Sequence, residues 1–199
     1  VPPLAIIANI DILCSAPDDM ILAGFGDILG KVTSLADWQM GTILMQEKLC
    51  PVARNMVQSA LEKVISEASQ IAQRRPESIQ ALMEALILSG VAMMLMGNSR
   101  PASGSEHHIS HYIEMKYFME GRQPLLHGTK VGLAALYTVA LYNELASLDH
   151  QKVDIPRLVK MRTPYEEWCQ RIEEVSGPIA QEVIGSNDKQ NWNPDVYER

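Results

Sequence analysis

The sequence is short of cysteine, of clustered positive charge and of long uninterrupted apolar runs, and each shortage closes a class of function. Among 199 residues only Cys14, Cys50 and Cys169 occur. They are far apart, odd in number and form no Cys-x-x-Cys pair, which argues against a disulfide framework or a cysteine-ligated zinc site and for reduced thiols in a cytoplasmic protein. Seventeen Lys and Arg stand against 24 Asp and Glu, a net charge of −7, with no stretch dominated by basic residues. That leaves no footprint for nucleic acid, although a local pocket of Lys and Arg could still hold a small anion. The longest apolar run, Ala85 to Gly97, falls short of the ~20 residues that span a bilayer. Glu84 bounds it on one side and Asn98-Ser99-Arg100-Pro101 on the other, so it reads as a core helix and no membrane contact is expected. There is no solenoid-period repeat. The chain opens on Val1-Pro2-Pro3 and reads as a processed or excised piece of a longer protein.

What is present is helix. A hydrophobic content of 47% over 199 residues suffices for one core, so residues 1–199 are expected to form a single helical domain. Leu4 to Ile10 is the one strand-like segment, bounded by Pro2-Pro3 and Asp11, and residues 1–12 read as a strand and lead-in. It has no ladder partner in the sequence, so it either pairs outside the chain or is simply extended. Pro17-Asp18-Asp19 resembles a helix start that Gly24 and Gly26 interrupt, with a longer helix from about Asp27 to Met45. From Pro51 to Gln73 apolar residues recur at three and four, the mark of an amphipathic helix. Further helices are expected from Pro76 to Met96, Gly104 to Glu120 and His127 to Leu148, the last burying Val131, Leu133, Leu136, Val139, Leu141 and Leu145. Residues 186–199 are polar and read as a frayed tail. The fold class is therefore all-α, a helical bundle with one short N-terminal strand.

Four of the five histidines lie between positions 107 and 127. On a helix His107 and His111 share a face one turn apart, while His108 turns away. His127 opens the next helix and can return beside His107. Asp27, after Gly24-Phe25-Gly26, is the best candidate for a third donor. Two imidazoles and a carboxylate with a position left open have the composition of a catalytic divalent-metal site. The plainer alternatives are a helix cap or a surface ion pair of Asp27 with Lys31 at i, i+4. The methionines from Met83 to Met96 read as core filling. Ser103-Gly104-Ser105 before a helix offers hydroxyls and free N–H groups that suit an anion or serve as an ordinary N-cap. Arg100, Lys31 and Lys130 sit near the candidate ligands in sequence, so a phosphate neighbour is expected.

Three segments carry a family resemblance. Ala23-Gly24-Phe25-Gly26-Asp27-Ile28-Leu29-Gly30-Lys31 with Thr33-Ser34-Leu35-Ala36-Asp37-Trp38 resembles the metal-binding helix of glycerol-1-phosphate dehydrogenases. Ser99 to His111 is similar to that family's most distinctive segment, and Leu126-His127-Gly128-Thr129-Lys130-Val131-Gly132 to its third motif. The likeness covers roughly residues 1–148, follows the family's order and lies nearest its bacterial branch. The wider superfamily holds dehydroquinate synthases and iron-containing alcohol dehydrogenases. The resemblance implies Asp27, His107 and His127 as ligands of zinc or nickel and His111 as an active-site histidine; beside it, Lys31 is expected as a further catalytic residue, and Arg100, Ser103 and Lys130 as contacts of a small phosphorylated substrate. It implies NAD or NADP as cofactor, a role in phospholipid biosynthesis, a cytoplasmic location and a homodimer. Lys31 stands where relatives place a further histidine ligand, which implies a three-ligand site. The departure is the absence of a glycine-rich turn within a βαβ unit. No cofactor-binding residue can be assigned, and the chain resembles the C-terminal helical half, expected to be inactive alone. Two alternatives remain: a metal-dependent glycerol or polyol dehydrogenase, or a non-catalytic helical metal-binding module.

Overall fold

The computed structural model describes residues 3–187. Eleven α-helices follow one another among the described residues, with short 3₁₀ turns at 150–152 and 177–179. They are α1 (Ile10–Cys14), α2 (Asp18–Leu29), α3 (Lys31–Leu44), α4 (Pro51–Ser66), α5 (Ala68–Ala72) and α6 (Pro76–Met96). Then come α7 (Ser105–Met119), α8 (His127–Ser147), α9 (Ile155–Met161), α10 (Tyr165–Ser176) and α11 (Ala180–Gly185). The all-α expectation holds, but no strand forms among the described residues. The expected strand at Leu4–Ile10 is irregular up to Asn9, whose Oδ1 accepts the Ile12 N–H at 3.2 Å and so starts α1. Leu4 and Ile7 stay exposed, and with no neighbouring ladder to satisfy the backbone a strand has nothing to form against. Of the tail expected to fray, residues 188–199 lie outside the described residues.

Pro51 and Pro76 each occupy the first turn of a helix, where a missing N–H costs nothing and the fixed φ favours entry. Gly97 ends α6 in the left-handed region at φ +68°, as a helix C-terminus requires. Between these ends α4 lies along α6. Val57, Leu61 and Val64 of α4 are buried, as are Ile79, Leu82 and Ala85 of α6. Ile28 of α2 joins one core cluster, and Leu35 and Trp38 of α3 join a second, with Ala53, Val57 and Ala92. Trp38 is fully buried and donates its indole N–H to the Lys48 carbonyl at 3.0 Å. Full burial of such side chains contributes about 1.5–3 kcal/mol each.

Two helix expectations are corrected. Gly24 and Gly26 do not interrupt a turn: α2 runs through both, and the break comes at Gly30, between α2 and α3. A Cβ at Gly30 would lie 2.6 Å from Val131 Cγ1, so the glycine sits where α8 presses on the bend. Asp27 is thus in the last turn of α2 and not at a helix start. On α8 the buried stripe is Val131, Ala134, Ala135 and Thr138, whereas Leu133, Leu136, Leu141 and Leu145 are exposed. The small residues face inward because α8 packs against α2 too closely for leucine. The methionines of α6 are not uniformly core: Met94 is exposed and lines an apolar groove with Met83 and Met93. By length and composition α6 could cross a membrane, although one of its faces packs in the bundle.

Candidate metal centre

Three helices deliver one donor each to a common point. Asp27 comes from the end of α2, His107 from the first turn of α7, and His127 is the first residue of α8. Their ligand atoms all lie within 4.8 Å of one another. Asp27 Oδ1 is 3.7 Å from His107 Nε2 and 3.7 Å from His127 Nε2. The two Nε2 atoms are 3.3 Å apart. The side chains are 9% exposed at His107, 20% at Asp27 and 47% at His127, so the cluster opens to solvent on the α8 side. His111, one turn beyond His107, completes a ring of imidazoles: its centroid is 6.1 Å from that of His107 and 5.9 Å from that of His127. His111 itself is exposed, with Nδ1 3.3 Å from Glu114 Oε2. His108 is exposed as well.

Close backbone contact makes the convergence possible. A Cβ on Gly128 would fall 1.8 Å from the Ala23 carbonyl oxygen, and one on Gly26 would fall 2.4 Å from the Gly128 carbonyl oxygen. Only hydrogen at these positions lets α2 and α8 approach so near.

The electrostatics favour a neutral imidazole at His127. Lys31 is 2% exposed, and its Nζ lies 3.2 Å from each Asp27 oxygen and 2.9 Å from the Ala102 carbonyl. Burial drives the Lys31 pKa below its ordinary value although Asp27 opposes the shift. The His127 pKa is also lowered, first by burial and then by His107, His111 and Lys130, against the pull of Asp27. A lowered imidazole pKa keeps the lone pair that a metal requires. One carboxylate and two facing nitrogens, with no basic side chain wedged between the nitrogens, fit a divalent cation as donor set.

Behind the cluster lies a fully buried carboxylate that the sequence reading passed over. Glu106 Oε1 is 2.7 Å from His107 Nδ1 and accepts the Gly104 N–H at 2.8 Å, while Oε2 accepts the Thr33 hydroxyl at 2.5 Å. Burial raises the Glu106 pKa, but these hydrogen bonds outweigh it and the net direction is down. The signal for it in the sequence is its place directly before His107. Asp37 was likewise missed as an organiser: it accepts the Ser105 N–H at 2.5 Å and the Tyr142 hydroxyl, tying α3, α7 and α8 together.

The residues expected to meet a phosphate are placed differently from one another. Lys130 is buried, with Nζ 2.9 Å from Glu114 Oε1. Arg100 is exposed in part and pairs with Glu47. Ser103 is half-buried in the turn before α7. Lys31 is spent on Asp27 and Ala102, and the surface-pair alternative is corrected to a buried pair.

No protein-family model matches the chain. Curated proteins do. The glycerol-1-phosphate dehydrogenase, NAD(P)+, of Bacillus licheniformis is 42% identical over 189 residues, 89% of this chain and 45% of that protein. The Bacillus subtilis protein of the same name is 46% identical over 147 residues, 74% of this chain and 37% of that protein. The one from Staphylothermus marinus is 41% identical over 140 residues, 70% of this chain and 38% of its own length. By sequence the chain is similar to the C-terminal part of these curated glycerol-1-phosphate dehydrogenases. It spans less than half the length of these curated relatives. All three sequence segments that carry the family likeness contribute to the centre: α2 with the start of α3, the turn into α7, and the start of α8.

Proposed function

We propose that the chain is the metal-binding helical part of an NAD(P)-dependent dehydrogenase that interconverts sn-glycerol 1-phosphate and dihydroxyacetone phosphate. The observation that carries this reading is the convergence of Asp27, His107 and His127 within 4.8 Å, in a chain 42% identical to a protein of that name. Zinc or nickel held by these three residues would supply Lewis acidity toward the substrate oxygen. The chain's own side chains set the rest. His107, buried, and Asp27, partly buried, fix the floor of the centre, and the exposed side of His127 leaves the approach for substrate. His111 stands at that approach, where its ring can orient the substrate or pass a proton, with Glu114 holding its Nδ1. Lys31 holds both Asp27 oxygens from behind, which orients the carboxylate. For the phosphate group, Arg100 and Ser103 are more accessible than Lys31 or Lys130, both buried against carboxylates.

The reading carries with it a single helical domain over residues 1–199, a cytoplasmic setting and a homodimer. The leucines left exposed on α8 support a protein partner on that face. Calorimetric titration of the metal-freed protein with zinc or nickel, followed by dihydroxyacetone phosphate or by dihydroxyacetone, tests the proposal. Metal-dependent binding of the phosphorylated ketone is expected. Equal binding of the unphosphorylated ketone points to a polyol enzyme, and absence of stoichiometric metal binding removes the reading.

A further inference from the structure

We infer that Glu106 is a positioning residue that holds His107 in the Nδ1–H tautomer, so that the Nε2 lone pair faces Asp27 and His127. This rests on the reading of the cluster as a metal centre, and it concerns which nitrogen is free to bind. A neutral imidazole carries one N–H, and its ligand nitrogen is the other one. Glu106 Oε1 lies 2.7 Å from Nδ1. That same Oε1 accepts the Gly104 N–H at 2.8 Å, so it is an acceptor oxygen and the proton at its contact with His107 belongs to Nδ1. With the proton on Nε2 instead, two lone pairs would face each other in a fully buried place, at the cost of an unmade hydrogen bond.

The carboxylate cannot turn aside to relieve such a clash. Its two oxygens are also held by the Gly104 N–H at 2.8 Å and the Thr33 hydroxyl at 2.5 Å, from the turn before α7 and from α3. The walls are close as well: a Cβ on Gly30 would come within 3.2 Å of Glu106 Cγ, and one on Gly104 within 3.0 Å of Glu106 Oε2. Both glycines leave room for this side chain in this rotamer. His107 is therefore presented with its ring plane and its tautomer set before any cation arrives. Carboxylate partners of ligand imidazoles act in this way in general, and their loss weakens metal binding by roughly 10–100-fold.

The test uses the full chain, metal-free and ¹⁵N-labelled, above the pH at which imidazole protonates. Two-bond ¹H–¹⁵N correlation should show His107 with a protonated Nδ1 and a pyridine-type Nε2. In Glu106→Gln the amide can accept from or donate to Nδ1, so the single tautomer should give way to a mixture. Its zinc affinity should fall roughly 10–100-fold, while its metal-free melting temperature stays near that of the wild type. A wild-type His107 protonated on Nε2 overturns the inference, and so does a Glu106→Gln protein that binds zinc as tightly as wild type. Should that variant fail to fold, the wild-type spectrum alone decides. A wild type that shows the Nδ1–H tautomer but binds no zinc would instead sink the metal reading while leaving the tautomer assignment standing.

Discussion

Gly26 of α2 and Gly128 of α8 meet backbone to backbone, so closely that a Cβ on Gly128 would lie 1.8 Å from the neighbouring Ala23 carbonyl oxygen and one on Gly26 2.4 Å from the Gly128 carbonyl oxygen. Each is one residue away from a proposed ligand, Asp27 and His127. The helix crossing and the donor cluster are therefore one piece of geometry.

Gly128→Ala is expected to push the two helices apart. Overpacking against backbone that cannot yield should cost about 3 kcal/mol, read as a lower denaturation midpoint. Zinc affinity should fall with it, because His127 moves with the start of α8. A variant with unchanged stability and affinity would show that the crossing does not set the site.

Asp27→Asn keeps the shape but removes the charged donor and the counter-ion of Lys31. Since changes behind a ligand already cost roughly 10–100-fold in metal affinity, loss of the carboxylate itself should exceed that range. Calorimetry with zinc measures it.

Lys31→Met tests the buried pair. Lys31 is 2% exposed and bonded to both Asp27 oxygens and the Ala102 carbonyl. Breaking a buried ion pair from one side costs about 3 kcal/mol. Urea unfolding should show that loss, with the phosphorylated ketone bound more weakly through the displaced Asp27.

Tyr142→Phe removes the hydroxyl donated to Asp37. Burial and that hydrogen bond raise the Tyr142 pKa well above its usual value of 10.0, so the donor keeps its proton across the physiological range. A hydrogen bond to a charged acceptor contributes about 1.5–3 kcal/mol, and half-burial places the expected loss near the lower end, measurable by thermal unfolding.

Glu114 supplies a pH dependence. The hydrogen bond from Lys130 holds its pKa below the ordinary 4.5, assisted by His111 and opposed by slight burial. A depressed folded-state pKa means that the unfolded chain binds the proton more readily. The contribution is thus complete above 4.5 and is lost as pH falls through the lower folded value. Because Glu114 is about half exposed, at 49%, the effect is small and weakened by salt. Denaturation midpoints followed through the carboxylate range should fall less steeply in Glu114→Gln than in the wild type.

Much of this molecule is legible along the chain. Apolar residues spaced at three and four, and prolines at 51 and 76, mark helices whose starts the structure repeats. The spacing of the histidines, with His127 opening the next helix, singles out His107 and His127, which the structure brings together with Asp27. These are local signals, written in periodicity and residue type, and they need no knowledge of neighbours.

What only the tertiary structure decided depends on contacts between distant segments. Gly24 and Gly26 look like helix breakers, yet α2 continues through them because α8 needs the space at Gly26 and side chains of α6 lie against Gly24. Leu133 and Leu136 look like core, yet the face of α8 that is buried carries Val131, Ala134, Ala135 and Thr138. Lys31 looks like a solvated partner of Asp27 until the Ala102 carbonyl, 71 residues away, closes over it. Glu106 looks like a helix-start acid until Thr33, 73 residues away, fixes its carboxylate against His107. Propensity acts within a turn or two of helix, whereas burial, close approach and charge pairing are set by whatever the fold brings alongside.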